Sequence, residues 1–251
     1  MSAGRVCRVA GPLVEVADLP GLAIAEIVGL GPDSLPGEVV GLADGIATVQ
    51  AYEYTGGLAP GDRVTPTGVP LAAPLGPGLL GSVVDGLLRP LTDAGEWLTP
   101  ARTDAAADRR WTVTPAAESG TTVTPGTVVA TVDVPGSLEF RVQVPPDVAG
   151  TLAWVASGEL TETDDVAAVT DGAGTDHAVP LVQRWPVRHP RPYRERVDEV
   201  TGLVTGQRVL DLLYPVARGS SAAVPGGFGT GKTMLLQQIA KWCDADVIVY
   251  V

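Results

Sequence analysis

Eight consecutive residues near the end of the chain, Gly226-Gly227-Phe228-Gly229-Thr230-Gly231-Lys232-Thr233, carry the clearest chemical signal in the sequence. They match the pattern G-x-x-x-x-G-K-[ST] at every position. Glycines allow positive φ, so successive N–H groups can converge on one anion. A polyphosphate fills such a bowl. Lys232 would reach its β- and γ-phosphates, and the Thr233 hydroxyl would hold Mg²⁺. A helix beginning here would add its positive end. A chance match in a chain of 251 residues has a probability of about one in a hundred, so context decides.

The context is that of a working loop. Ser221-Ala222-Ala223-Val224 reads as a short apolar strand that Pro225 closes. Met234 to Trp242 is a good helix former, with Leu235, Leu236, Ile239 and Trp242 on one side. Asp246-Val247-Ile248-Val249-Tyr250-Val251 reads as a buried parallel strand. Strand, glycine loop, helix, strand is the order phosphate binding needs. Only two of the 17 basic residues are lysines, Lys232 and Lys241. A composition that nearly avoids lysine keeps one where arginine's wider fork fits the loop poorly.

Composition bounds the rest. A chain of this length makes one large domain or two to three smaller ones. Hydrophobic residues are 45% of it, which argues for a folded core. The net charge of −12 disfavours nucleic acid and anionic membranes as partners. No apolar run approaches the ~20 residues of a membrane span. Met1 to Arg5 lacks the apolar core of a signal peptide. Cys7 and Cys243 are far apart, so a disulfide framework is not expected and a reducing cytoplasm fits. His177 and His189 form no metal-ligand pattern.

Residues 3 to about 70 read as short strands broken at roughly ten-residue intervals, as in a small antiparallel barrel or sandwich. In the next stretch Leu79, Leu80, Val83, Val84 and Leu87 fall at helical spacing until Pro90, predicting a loop and short helix. Residues 93–183 are rich in Thr, Val, Gly and Pro. Thr-Val-Thr-Pro occurs at Thr112–Pro115 and again at Thr122–Pro125, which suggests two similar hairpin strands. Val144 to Leu152 resembles the turn and strand of lipoyl-type sandwich domains, yet the region has no lysine to carry such a group. Glu159, Glu162, Asp164 and Asp165 cluster near a turn and read as a solvated edge rather than an acid/base pair. Arg184 to Arg196 interleaves arginines with Trp185 and Tyr193. Its three prolines, and the acidic remainder, favour an extended linker over a nucleic-acid surface.

Taken in order, these stretches resemble the N-terminal part of the catalytic A (alpha) subunit of V-type and archaeal-type rotary ATPases. Gly11-Pro12-Leu13-Val14 and Gly37-Glu38-Val39-Val40 are similar to that family's barrel. Tyr52-Glu53-Tyr54-Thr55-Gly56-Gly57-Leu58 resembles its tyrosine-glutamate-x-threonine-x-glycine stretch. Leu75 to Leu80 and Asp85 to Leu91 resemble its way out of the barrel, and Trp185 to Arg188 with Arg191-Pro192 its way back. Thr205 to Asp211 and the phosphate loop complete the set. The secretion and flagellar ATPases and the F-type beta chain share the plan but lack the insertion that residues 93–183 occupy. A flagellar or secretion ATPase with an unusual insert stays as an alternative. Phe228 is also a habit of the catalytic A chains. The family usually has proline where this chain has Gly227, and a small residue at Thr230. Glycine there loosens the loop by about 0.5–1 kcal/mol.

The resemblance implies a multidomain β plus α/β fold: an N-terminal β-barrel at 1–72, a connecting loop and short helix at 73–92, a β-rich bulge at 93–183 and the start of a RecA-like nucleotide-binding domain at 184–251. It implies ATP or ADP with Mg²⁺, held by Gly226, Gly227, Phe228, Gly229, Thr230, Gly231, Lys232 and Thr233. Lys232 is the candidate charge stabiliser and Thr233 the candidate metal ligand. It implies B subunits in an alternating hexamer, central and peripheral stalk subunits, a place on the cytoplasmic face of a membrane and no membrane insertion. In that family the strand at Val247–Val251 leads to a glutamate that positions the attacking water. Neither it nor the Walker B acid is in this sequence, so a fragment with little turnover of its own is expected.

Overall fold

The computed structural model describes residues 4–92, 95, 109–134, 136, 138–193 and 195–251. Two units divide it, Met1–Arg191 and Pro192–Val251.

The first unit begins with a closed barrel. Its strands are β1 (Gly4–Ala10), β2 (Leu13–Ala17), β3 (Glu26–Leu30), β4 (Leu35–Ala43), β5 (Ile46–Ala51) and β6 (Arg63–Pro70), in the order β1-β2-β5-β4-β3-β6. Alternation puts one face of each strand inside. Val14, Val28, Leu30, Val39, Val49 and Val64 are fully buried there. The tightest hairpin shows local chemistry setting register. Asp44 and Gly45 both have positive φ, at 49° and 77°, which a two-residue turn between right-twisted strands requires. Ala43 consequently faces Ile46.

After the barrel, β7 (Ala72–Leu75) leads into the stretch where a short helix is expected. The helix is a single 3-10 turn at Pro77–Leu79. The spaced leucines do not extend it, because Gly81 and Leu88 sit at φ 73° and 61°, which a right-handed helix excludes. A bridge between Val84 and Pro90 closes the segment instead. Asp85 Oδ1 accepts the N–H groups of Leu87 and Arg89, and the Arg89 guanidinium donates to Asp85 and Glu53.

A second β layer follows. Its strands are β8 (Arg110–Pro115), β9 (Thr122–Val123), β10 (Val128–Val132), β11 (Phe140–Gln143), β12 (Gly150–Val155), β13 (Gly158–Thr161), β14 (Asp165–Thr170) and β15 (Asp176–Pro180). They form two four-stranded sheets, β11-β10-β8-β13 and β15-β14-β12-β9. Val113, Val129, Leu152, Val166, Val169 and Leu181 fill the space between. The two Thr-Val-Thr-Pro stretches are not paired strands of a hairpin: one lies in β8 and the other opens with β9, in opposite sheets. The acidic residues hold local structure. Glu159 accepts from the Thr112 hydroxyl, Glu162 from the Trp111 indole, and Asp164 from the Thr161 amide and hydroxyl.

The chain returns as β16 (Gln183–Pro186), antiparallel to β7. Part of the expected linker is therefore strand. Beyond it, Arg188 reaches back to the barrel and donates to Glu38 at 2.6 Å, while the Tyr52 hydroxyl donates to the same carboxylate oxygen at 2.5 Å. Glu38 is buried. Burial pushes its carboxyl up, but the bonds from Tyr52 and Arg188 more than offset this and leave it below its ordinary value. Burial and the neighbouring Glu38 carboxylate raise the Tyr52 phenol to about 12. A raised folded-state value means that stability present below the unfolded phenol value is lost as pH rises through about 12. One tyrosine is thus expected to ionise late in an ultraviolet titration, with Tyr52→Phe removing that late step. A late step that survives the substitution would contradict the assignment.

The second unit contains β17 (Gly202–Leu203), α1 (Arg208–Leu213), β18 (Val216–Ala217) and α2 (Lys232–Trp242), with β17 antiparallel to β18. The strands expected at 221–224 and 246–251 do not form. Among the described residues neither segment has a hydrogen-bonded neighbour, and Val249 is 82% exposed. An apolar run becomes a parallel strand only beside another strand.

Candidate functional site

The phosphate-loop residues form one continuous turn into α2. Gly231 caps the helix in the left-handed region, φ 82° and ψ 12°, with no side chain on the free amides. Gly229 also has positive φ, at 78°. Gly226 is required for another reason: a Cβ there would lie 2.7 Å from Thr230 Oγ1. The Thr230 hydroxyl donates to the Gly227 carbonyl at 2.9 Å, a staple across the loop. This assigns Thr230 a supporting role consistent with its not being a ligand.

Lys232 arches back over the loop. Its Nζ donates to the carbonyls of Gly226 and Gly227 at 2.5 and 2.6 Å. An ammonium has three donors, so one remains for an anion. Among the described residues no hydrogen bond of good geometry occupies the backbone amides of Phe228 to Gly231. The Phe228 side chain is fully exposed, and Thr233 stands exposed in the first turn of α2. Free amides, a helix N-terminus and one ammonium on a surface loop can hold a polyphosphate. The residues present therefore fit the group the sequence implies.

The far end of α2 fixes the helix. Gly206, at φ 76°, lies against it so closely that a Cβ would come within 2.7 Å of the Trp242 Cβ. Thr205, almost fully buried, donates its N–H and hydroxyl to Asp211 Oδ1 at 2.9 and 2.6 Å. These bonds, the hydroxyl's first, hold Asp211 below the usual carboxylate range. Asp244 Oδ1 accepts the Val204 N–H and its Oδ2 the Arg218 guanidinium. Asp244 was not singled out in the sequence, although a signal exists. A carboxylate just beyond a helix C-terminus opposes the helix dipole and needs a cation, which Arg218 supplies.

Gly206→Ala is expected to cost about 1–3 kcal/mol by overpacking and to loosen α2 before the barrel. Hydrogen exchange reports this directly. Equal protection of α2 amides in both forms would contradict the docking role.

A closed barrel, a two-sheet sandwich and a glycine loop capping a helix, in that chain order, define a multidomain phosphate-loop protein. Three successive stretches match protein families: the ATP synthase alpha/beta family beta-barrel domain at 6–68, the ATP synthase alpha/beta subunit barrel-sandwich domain at 104–188, and the ATP synthase alpha/beta family nucleotide-binding domain at 206–251. The chain belongs to the ATP synthase alpha/beta family. It is 42% identical over 255 residues to the catalytic-type A subunit of the A-type ATP synthase of Methanopyrus kandleri, covering 99% of this chain and 43% of that protein. It is 44% identical over 254 residues to the V-type ATP synthase alpha chain of Anaeromyxobacter sp. strain K, covering 99% and 43%. The V-type ATP synthase alpha chain of Thermoanaerobacter sp. strain X514 is 38% identical over 257 residues, with 100% and 44% covered. The chain thus spans less than half the length of these relatives.

Proposed function

We propose that these residues are the nucleotide-receiving part of a catalytic A subunit in a rotary V/A-type ATPase, coupling ATP hydrolysis or synthesis to proton or sodium transport. The observation that carries this is the Gly226–Thr233 loop with Lys232 folded over it, at the end of a chain similar throughout to A-type and V-type relatives. In this reading Lys232 and the amides of residues 228–233 stabilise phosphate charge. Thr233 holds Mg²⁺, which supplies charge neutralisation at the phosphates when bound. The partners are B subunits in an alternating hexamer with central and peripheral stalk subunits, on the cytoplasmic face of the membrane. Among the described residues no helix is long and apolar enough to cross a membrane.

A second reading, nucleotide binding and assembly without hydrolysis by residues 1–251 alone, rests on the carboxylates beside the loop's helix. Asp211 and Asp244 are committed to Thr205 and Arg218. No water-positioning role is left for either. The experiment is ATP turnover measured on the 251-residue chain and on the complete assembled complex. Turnover in the complex that depends on Mg²⁺ and falls in Thr233→Ala supports the first reading. Appreciable Mg²⁺-dependent hydrolysis by the isolated chain would overturn the second.

A further inference from the structure

In the first unit, a cleft of about 210 Å³ opens where the sandwich meets the β7–β16 ribbon. One wall is β11, the edge strand of its sheet, which contributes Phe140, Arg141 and Gln143. The opposite wall contributes Leu181, Gln183 and Arg191. No carboxylate lines the cleft, in a chain whose net charge is −12. That local reversal of sign is the first observation.

The second is how the two guanidiniums are held. Arg191 stacks over the Trp185 ring at 4.5 Å from its centre. Stacking fixes the plane of the guanidinium and leaves the N–H groups at its edge. Among the described residues Arg191 forms no hydrogen bond or ion pair, so those donors are uncommitted. Arg141 is joined only to Glu139, at 3.4 Å, and both side chains are more than half exposed. An exposed pair of this kind contributes little and exchanges readily. Gln183 Nε2 donates to the Gln143 carbonyl at 2.7 Å, which ties one wall to the other and fixes the cleft's width.

The third is the floor. Phe140 and Leu181 are apolar, and Leu181 is 1% exposed. A concave site with an apolar floor and two convergent cations selects both charge and body.

We propose that this cleft binds a small organic anion, an apolar body bearing one carboxylate or phosphate, gripped between Arg141 and Arg191. Such a ligand would bridge the sandwich and the returning strand, the two parts the cleft separates.

Benzoate is the first probe, with amide signals of Gln143 and Gln183 followed by NMR on the 251-residue chain. Benzoate is expected to shift both signals saturably. Benzamide, of the same size without the charge, is expected to bind about tenfold more weakly. Inorganic phosphate tests charge alone, and is expected to bind more weakly than benzoate because it leaves the floor uncovered. Phenyl phosphate distinguishes the two anionic groups, and saturation by either supports the site. The Arg141→Ala/Arg191→Ala double variant loses the response, while Arg184→Ala keeps it. Should the double variant melt early, Arg191→Gln alone gives the same reading. Equal affinity for benzoate and benzamide, phosphate binding tighter than benzoate, a response that survives loss of both arginines, or no saturable shift would each overturn the proposal.

Discussion

Lys232→Ala is expected to lower ATP turnover by the assembled complex about 10²–10³-fold, the usual loss when one charge-stabilising donor is removed from a transition state. The chain's own stability should barely change. Lys232 sits at the start of an exposed helix turn, and its only partners are two carbonyls on a surface loop. What it loses is the one cation placed over the free amides of residues 228–231. Lys232→Arg should remain defective, because the planar fork cannot meet both the Gly226 and Gly227 carbonyls as a point ammonium does. The measurement is steady-state hydrolysis beside a thermal melt. Turnover within a few-fold of the parent, with an unchanged melt, would remove the physical basis of the proposed function.

The largest effect on stability should come from Leu152→Ala, at about 2–5 kcal/mol. Leu152 is fully buried between the two sheets, among Val113, Val129, Val166 and Val169. Its backbone is pinned on both sides, the N–H to Thr121 O and the carbonyl accepting from Gly120 N. The site therefore collapses little when the side chain is cut back, and the cavity term stays high. The barrel has a separate core around Leu30, Val28 and Val64. Leu30→Ala is expected to cost a similar amount there, and the two effects should add. Hydrogen exchange across β12 and β3 separates them. Loss of protection in the barrel equal to that in the sandwich, on Leu152→Ala, would mean that the two cores are one cooperative unit.

Much of the phosphate site was legible because it is contiguous. The glycines that take positive φ, the staple from Thr230 and the lysine that folds back all lie within eight residues. The barrel was legible for a related reason, since alternation and Asp44-Gly45 punctuation act over a few residues. Leucine spacing misled at residues 79–87, because periodicity carries no information about the backbone that Gly81 and Leu88 adopt.

The sequence by itself determined the anion cradle, the alternating strands and their turns, because each rests on interactions between near neighbours in the chain. Tertiary structure alone decided which strands share a sheet, as with β8 and β9, and whether an apolar run such as 246–251 has a neighbour to pair with. It also decided that Glu38 and Tyr52 meet Arg188, 150 and 136 positions away from it, around one buried carboxylate. Local pattern records how a residue faces. Only the closed fold supplies what it faces, because pairing between distant segments depends on the summed burial of all of them.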